Sequence, residues 1–296
     1  MISRELMAEV RRLQMTSRSI VSEVFAGEYE SAFKGRGLEF AEVREYQPGD
    51  DTRLIDWNVT ARTGNPHIKE CVEERELTVM LLVDLSASGR FGSTDRPKNA
   101  LAAELCAVLG FVASNSNDKV GLLIFTDRVE LFIPPGKGTR HVLRVVREVL
   151  SFQPQHKGTD VNYACDYIGG ILKRRSVIFL VSDLLDQGKP ASLRTLAGRH
   201  DVAVLRIVDP REQALPRCGL LELEDAETGE RKLLDTSAGN IRRGFEKTMA
   251  ARDEELRSFL EPVGIDYASI VAGKPYVNEL VRLFRRREGW RSRRGG

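Results

Sequence analysis

The stretch VMLLVDLSAS, Val79 to Ser88, decides how the chain folds, because an apolar run ends in an aspartate and two serines follow. A strand of a parallel sheet that is covered on both faces has a continuous run of apolar residues. In open α/β sheets, ligands bind outside the carboxyl ends of such strands. Asp84, Ser86 and Ser88 therefore predict a group of oxygen donors at the end of a buried strand.

Two further oxygen-bearing residues occupy comparable positions downstream. Thr159 lies just ahead of a helical pattern, and Asp183 closes a second apolar run, Val177 to Ser182. Carboxylate and hydroxyl oxygens suit Mg²⁺ or Mn²⁺, which favour octahedral oxygen coordination and retain positions for water. The sequence thus predicts a metal site with five ligands: Asp84, Ser86, Ser88, Thr159 and Asp183.

The order of these residues, D-x-S-x-S, then a threonine before a helix, then an aspartate ending a strand, resembles the metal-ion-dependent adhesion site of von Willebrand factor A domains. The resemblance implies a binding device in which an acidic side chain of a partner protein completes the coordination of the ion. Asp160 is expected to cap the helix that begins after Thr159, since aspartate favours that position. Arg90 is the cation expected near the site.

Strand-like and helical patterns alternate from residue 77 to residue 287. The strands are expected at 77–84, 119–125, 128–133, 176–182, 201–208 and 265–271. The helices are expected near 96–115, 139–151, 160–173, 190–199, 240–261 and 275–287. This alternation predicts an α/β fold with a doubly wound, mostly parallel sheet. Only Thr126-Asp127 separates the second strand from the third, which predicts one antiparallel edge strand and resembles a von Willebrand factor A-like domain.

The remaining segments complete the predicted domain organisation. An amphipathic helix is expected at 1–26, a small β and loop module at 27–76, the main domain at 77–288 and a basic tail at 289–296. Residues 219–235 predict a hairpin inserted in the main domain, with its turn around Glu227–Glu230.

A second and longer pattern occupies the small module between Gly35 and Arg62. Its residues are Gly37, Glu39-Phe40, Val43-Arg44, Tyr46, Pro48-Gly49-Asp50-Asp51, Arg53, Ile55-Asp56-Trp57 and Ala61-Arg62. The pattern resembles domain of unknown function 58, a bacterial family of von Willebrand factor A-like proteins, and the resemblance extends from about residue 15 to 290. It implies a MoxR-type AAA+ ATPase as partner, in a chaperone-like system that assembles or activates a client complex.

The same segment has residues that suit a structural role. Trp57 and Tyr46 are expected to bury large apolar areas. Its opposite charges predict a salt-bridge network among Arg44, Arg53, Arg62, Asp50, Asp51 and Asp56. Gly89 departs from the family pattern, which usually has a methionine after the last serine, but the five metal ligands are intact.

Composition limits the possible classes of function. The net charge is only +2, so attraction to nucleic acid or membrane through overall charge is not expected. The four cysteines form no C-x-x-C pair, and no segment approaches the roughly 20 apolar residues of a membrane helix. These features predict a cytoplasmic protein in a reducing compartment.

Three functions remain to be compared. The leading hypothesis is a non-enzymatic, Mg²⁺-dependent protein-interaction module. The alternative is a metal-dependent phosphoester hydrolase, in which Asp50, Asp51 and Asp56 hold metal ions that activate water. A nucleotide-binding enzyme is disfavoured, because the chain has no G-x-x-x-x-G-K-[ST] motif and no G-x-G-x-x-G after the strand that ends at Asp84.

Overall fold

The computed structural model describes residues 4–20, 26–34, 39–72, 76–94, 96–185 and 190–294. The chain divides into two compact units. The small unit is Lys34–Glu76, and the main unit combines Met1–Phe33 with Leu77–Gly296. The small unit thus begins at Lys34 rather than at the predicted residue 27. The reason is that Tyr29 and Phe33 are buried in the core of the main unit.

The elements are numbered in chain order. The strands are β1 Glu39–Glu45, β2 His67–Val72, β3 Thr78–Asp84, β4 Lys119–Phe125, β5 Val129–Gly136, β6 Val177–Ser182, β7 Asp201–Val208, β8 Leu220–Glu224, β9 Arg231–Asp235 and β10 Asp266–Val271. The helices are α1 Arg4–Ile20, α2 Ala26–Tyr29, α3 Trp57–Thr63, α4 Lys98–Asn115, α5 Thr139–Ser151, α6 Val161–Ile171, α7 Ala191–Arg199, α8 Pro210–Gln213, α9 Gly239–Leu260 and α10 Val277–Arg294.

The small unit is a hairpin-like pair of strands with a short helix between them. β1 and β2 pair antiparallel, and α3 begins after Asp56, whose carboxylate accepts hydrogen bonds from two backbone amides of the first turn. Of the predicted salt-bridge network, the Arg44–Asp50 pair is formed at 2.8 Å, whereas Asp51 caps a short 3₁₀ turn. Trp57 is 70% exposed, so the expectation that it buries a large area is wrong.

The main unit is built on a six-stranded sheet in the order β10-β7-β6-β3-β4-β5. All neighbours pair in parallel except β4 and β5, which form the predicted antiparallel edge. The doubly wound, mostly parallel α/β architecture is therefore confirmed. The predicted strand positions agree closely with the observed ones because the central strands β3, β4 and β6 are almost continuously apolar.

The central strand β3 is apolar at every position from Val79 to Val83, and the helices around it show why. Val79, Leu81 and Val83 face a core that α1, α4, α5 and α10 cover. Met80 and Leu82 face a second core on the opposite side, which α6, α7 and α9 cover. Since side chains alternate between the faces of a strand, both faces must be apolar when helices cover both.

The order of the strands places a crevice at the centre of the sheet. From β3 the chain moves outward through β4 to β5, and it then returns to β6 on the other side of β3. Adjacent strands whose connections leave in opposite directions define the topological switch point, which is where doubly wound sheets bind ligands. The ends of β3 and β6 carry Asp84 and Asp183.

The inserted hairpin and the end of the chain complete the main unit. β8 and β9 pair antiparallel with each other as a separate two-stranded sheet. α10 continues to Arg294, so residues 289–294 of the predicted basic tail are helical. No helix in the described parts of the chain combines the length and the apolar character that a bilayer crossing requires.

Candidate functional site

Asp84 occupies the end of β3 and is oriented by the two loops around it. One carboxylate oxygen accepts a hydrogen bond from the Ser86 amide at 2.9 Å. The other accepts one from the Ser182 hydroxyl at 2.6 Å. Asp84 is only 7% exposed, so these bonds hold a charged group at a fixed place in a largely desolvated position.

The two serines stand together on the turn that follows Asp84. The hydroxyl oxygens of Ser86 and Ser88 are 3.0 Å apart. Neighbouring ligands in an octahedral Mg²⁺ site, at 2.0–2.1 Å from the ion, lie about 2.9 Å apart. Gly89 is buried beside them, and a Cβ at that position would lie 2.1 Å from Asn99 Oδ1, so Asn99 occupies the space that a larger side chain would need.

Asp183 reaches the same small cavity from the end of β6. Asp84, Ser86, Ser88 and Asp183 all line it. The backbone turns sharply after Asp183, because Leu184 has φ +51°, a conformation that is uncommon for residues other than glycine. Arg206 Nε donates to the carbonyl oxygen of Asp183 at 2.9 Å and thereby fixes this turn.

Thr159 lies on an adjacent loop and is not among the residues that line the cavity. Its loop is held beside the serine turn, because the Ala87 amide donates to the Lys157 carbonyl at 2.9 Å. Asp160 caps α6, as predicted, by accepting a hydrogen bond from the Tyr163 amide at 2.9 Å. The hydroxyl of Thr159 donates to the carboxylate of Glu227 at 2.7 Å.

Sequence reasoning missed the cation of this site. Lys98, the first residue of α4, is 2% exposed, and its ammonium lies 2.6 Å from Asp183 and 2.6 Å from Glu212. Arg90, the expected cation, is exposed. A signal for Lys98 exists in the sequence, since this lysine opens a helix that is otherwise largely apolar and must be packed in the core.

A third strand-end carboxylate was also missed. Asp209 follows β7, as Asp183 follows β6, and it is fully buried. It accepts hydrogen bonds from the backbone amide and the hydroxyl of Ser93, and it caps α8 together with Glu212. Asp209 therefore ties the loop ahead of α4 to the end of β7.

Burial and neighbouring charges shift the pKa values of the acidic and basic groups in the cavity. Burial, reinforced by the charge of Asp183, raises the pKa of Asp84 to about 6, although hydrogen bonds from Ser182 and Ser86 oppose the increase. Burial would lower the pKa of Lys98, but the carboxylates of Asp183 and Glu212 outweigh it and raise that pKa. Burial also raises the pKa of Glu212, against the attraction of Lys98.

The donor set fits a small divalent cation. In the described residues, no three or more His, Cys, Asp and Glu side chains form a group that could hold a metal ion. A site of two carboxylates and hydroxyls differs from such a cluster, since the hydroxyls add oxygen ligands without charge. The serine spacing and the carboxylates that share their cavity suit Mg²⁺ or Mn²⁺.

The sheet and the cavity at its strand ends define an α/β protein with a doubly wound, mostly parallel sheet. The sequence matches the family model described as "Protein of unknown function DUF58" over residues 42–255. The chain belongs to this family, and the predicted family membership is confirmed.

Relatives in mycobacteria cover most of the chain. An uncharacterized protein of Mycobacterium bovis and one of Mycobacterium tuberculosis are each 30% identical to it over 282 residues, which is 94% of this chain and 89% of theirs. A shorter uncharacterized protein of Mycobacterium avium is 25% identical over 158 residues, which is 52% of this chain and 92% of that protein.

Solved structures with a similar fold are distant in sequence. A conserved hypothetical protein, BatB, from Bacteroides thetaiotaomicron aligns with a TM-score of 0.46 and 16% identity, over 72% of this chain and 99% of that one. The SpRpn10 VWA domain aligns with a TM-score of 0.40 and 13% identity, over 70% of this chain and 94% of that one.

Proposed function

We propose that the chain is a non-enzymatic, Mg²⁺-dependent protein-interaction module that acts with a MoxR-type AAA+ ATPase in the chaperone-like assembly or activation of a client complex. The observation that carries the proposal is the convergence of Asp84, Ser86, Ser88 and Asp183 on one cavity at the switch point of the sheet. The ion, when bound there, supplies an electrophilic centre for a carboxylate of the partner.

The proposed ligands carry little net negative charge, so the bound ion would still attract the carboxylate of the partner. Asp84 and Asp183 offer negative charge, whereas Ser86, Ser88 and Thr159 are neutral ligands. Lys98 neutralises part of the charge of Asp183. A site with so little net negative charge binds its ion weakly by itself and gains from an acidic partner, which is the behaviour required of an interaction module.

The hydrolase alternative draws no support from the small unit. Asp50 forms two hydrogen bonds with Arg44, both at 2.8 Å. Asp51 and Asp56 accept hydrogen bonds from backbone amides at the start of a 3₁₀ turn and of α3. These carboxylates thus have structural roles. The proposed interaction module, by contrast, requires no catalytic group.

The test is a pull-down from native lysate with the tagged protein, in Mg²⁺ and in EDTA. The variants are Asp84→Ala and, as a matched control, Asp127→Ala, whose carboxylate is 43% exposed beside the same edge of the sheet. We expect the wild type and the control to capture an AAA+ ATPase in Mg²⁺ but not in EDTA. We expect Asp84→Ala to capture none in either condition. Capture that ignores both the metal and Asp84 would show that the partner surface lies elsewhere.

A further inference from the structure

The tip of the inserted hairpin places a carboxylate on Thr159, one of the predicted metal ligands. Glu227, between β8 and β9, accepts a hydrogen bond from the hydroxyl of Thr159 at 2.7 Å. Its second oxygen lies over Gly158, since a Cβ at that glycine would be 3.8 Å from it. Glu227 is half-buried, whereas every other residue from Glu224 to Glu230 is exposed. The contact with the Thr159 loop therefore distinguishes Glu227 from the rest of the tip.

The turn holds Glu227 in this orientation. One carboxylate oxygen of Asp225 accepts hydrogen bonds from the amides of Glu227 and Thr228, at 2.9 and 2.8 Å. Gly229 closes the turn with φ +74° and donates its amide to the Asp225 carbonyl at 2.8 Å. An aspartate that bonds its own turn and a glycine at positive φ are the usual devices of a well-defined turn. The tip is thus pre-shaped.

The body of the hairpin is separate from the main sheet. β8 and β9 pair with each other and not with the six-stranded sheet, and Leu220 and Leu233 are 70% and 65% exposed. At the base, the fully buried Thr236 donates its hydroxyl to the Gly219 carbonyl at 2.7 Å. A two-stranded hairpin gains little stability alone, so contacts at the base and the tip determine its position.

The Glu227 carboxylate is the same chemical group that the partner protein is proposed to supply to the metal ion. The Thr159 hydroxyl donates to the Glu227 carboxylate at 2.7 Å, close to the spacing of about 2.9 Å between neighbouring oxygen ligands of one Mg²⁺ ion. The proposed function requires an acidic side chain at this site, and the hairpin already places one on the hydroxyl of Thr159, a predicted ligand. We propose that Glu227 is a carboxylate ligand supplied by the chain itself, which caps the metal site until a partner displaces the hairpin. This inference rests on the proposed function.

The test uses the full chain loaded with Mn²⁺, and it measures water-proton relaxation to count the water molecules on the ion. The variant is Glu227→Ala, which removes both oxygens that could coordinate the ion. The matched control is Glu222→Ala, which removes an exposed carboxylate on the same hairpin. Asp84→Ala reports whether Mn²⁺ binds at the candidate site, and circular dichroism confirms folding.

We expect Glu227→Ala to raise the relaxation by the contribution of about one coordinated water, because Mn²⁺ replaces a lost oxygen ligand with water. The control should match the wild type. Equal relaxation in wild type and Glu227→Ala, with binding that needs Asp84, would show that Glu227 does not bind the ion and would leave the proposed function unaffected. Binding that does not need Asp84, or no binding in any variant, would overturn the proposed metal dependence and the cap with it.

Discussion

The ammonium of Lys98 lies 2.6 Å from the carboxylate of Asp183, in the cavity where two strand ends meet. Lys98 is the first residue of α4, and Asp183 follows β6. The pair places a built-in cation beside a proposed metal ligand. A buried pair of this kind is costly to break from one side, because the partner is left charged and desolvated. We therefore expect the metal affinity proposed for the site to depend on a residue that is not a ligand.

Removing this cation should affect stability and metal binding in opposite directions. We expect Lys98→Met to lower the free energy of unfolding of the metal-free protein by about 3–5 kcal/mol, since Asp183 and Glu212 lose their counter-ion. The same change should tighten Mg²⁺ binding about tenfold or more, because a positive charge within about 6 Å repels each unit of cation charge by roughly 3 kcal/mol at an effective dielectric of about 20.

Denaturant unfolding and titration calorimetry measure these two quantities for Lys98→Met. Lys173→Met is the control, since Lys173 is exposed, and it should leave both nearly unchanged. Unaltered Mg²⁺ affinity in Lys98→Met would show that the ion does not bind beside Asp183.

The metal-free protein should lose stability as the pH rises through about 6. Burial, together with the charge of Asp183, raises the pKa of Asp84 to about 6 from an ordinary value of about 3.9, so the folded state binds the proton more tightly than the unfolded state. This contribution to stability is complete below pH ~4 and disappears as the pH rises through 6. Thermal unfolding in EDTA from pH 5 to 7.5 should show a steeper decline in wild type than in Asp84→Asn. Parallel curves for the two proteins would exclude this role of Asp84.

Arg287 should stabilise α10 far more than its neighbour Arg285. Arg287 is 5% exposed, pairs with Asp201 and Asp266, and stacks over the ring of Phe33 at 4.4 Å. We expect Arg287→Leu to lower the free energy of unfolding by about 3–5 kcal/mol, because two partly buried carboxylates lose their partner.

The control for this helix is Arg285→Leu. Arg285 is 66% exposed and pairs with Glu28 at the surface, so its loss should cost less than about 1 kcal/mol. Urea unfolding of both variants gives the comparison. Similar losses in the two variants would contradict the importance assigned to burial.

The cysteines should differ sharply in reactivity. Burial raises the pKa of Cys106 and of Cys165 to about 12, and both thiols are inaccessible, whereas Cys218 is exposed. In a Cys71→Ser background, we expect a thiol reagent to label Cys218 alone in the native protein and all three remaining cysteines after unfolding, because the thiolate is the reactive species. Mass spectrometry identifies the labelled sites. Native labelling of Cys106 would contradict the packing of α4.

Most of the sheet could be predicted from the sequence because its signals are local. A strand such as β3, apolar from Val79 to Val83 and ended by Asp84, has one interpretation in an alternating α/β pattern. The three residues between β4 and β5 are too few for a crossover, so the antiparallel edge follows from the length of the connection alone. The N-cap role of Asp160 is local in the same sense, since its carboxylate bonds an amide three residues away.

The sequence by itself determined the architecture of the main unit, the family, and the set of oxygen donors at the ends of β3 and β6. Only the tertiary structure decided what surrounds those donors. Lys98 meets Asp183 across 85 residues, and Glu227 meets Thr159 across 68. Such contacts depend on how helices and insertions pack on the sheet, and no periodicity or local propensity encodes them. The physical reason is that a strand signal is carried by neighbours in the chain, whereas the charge balance of a site is set by neighbours in space.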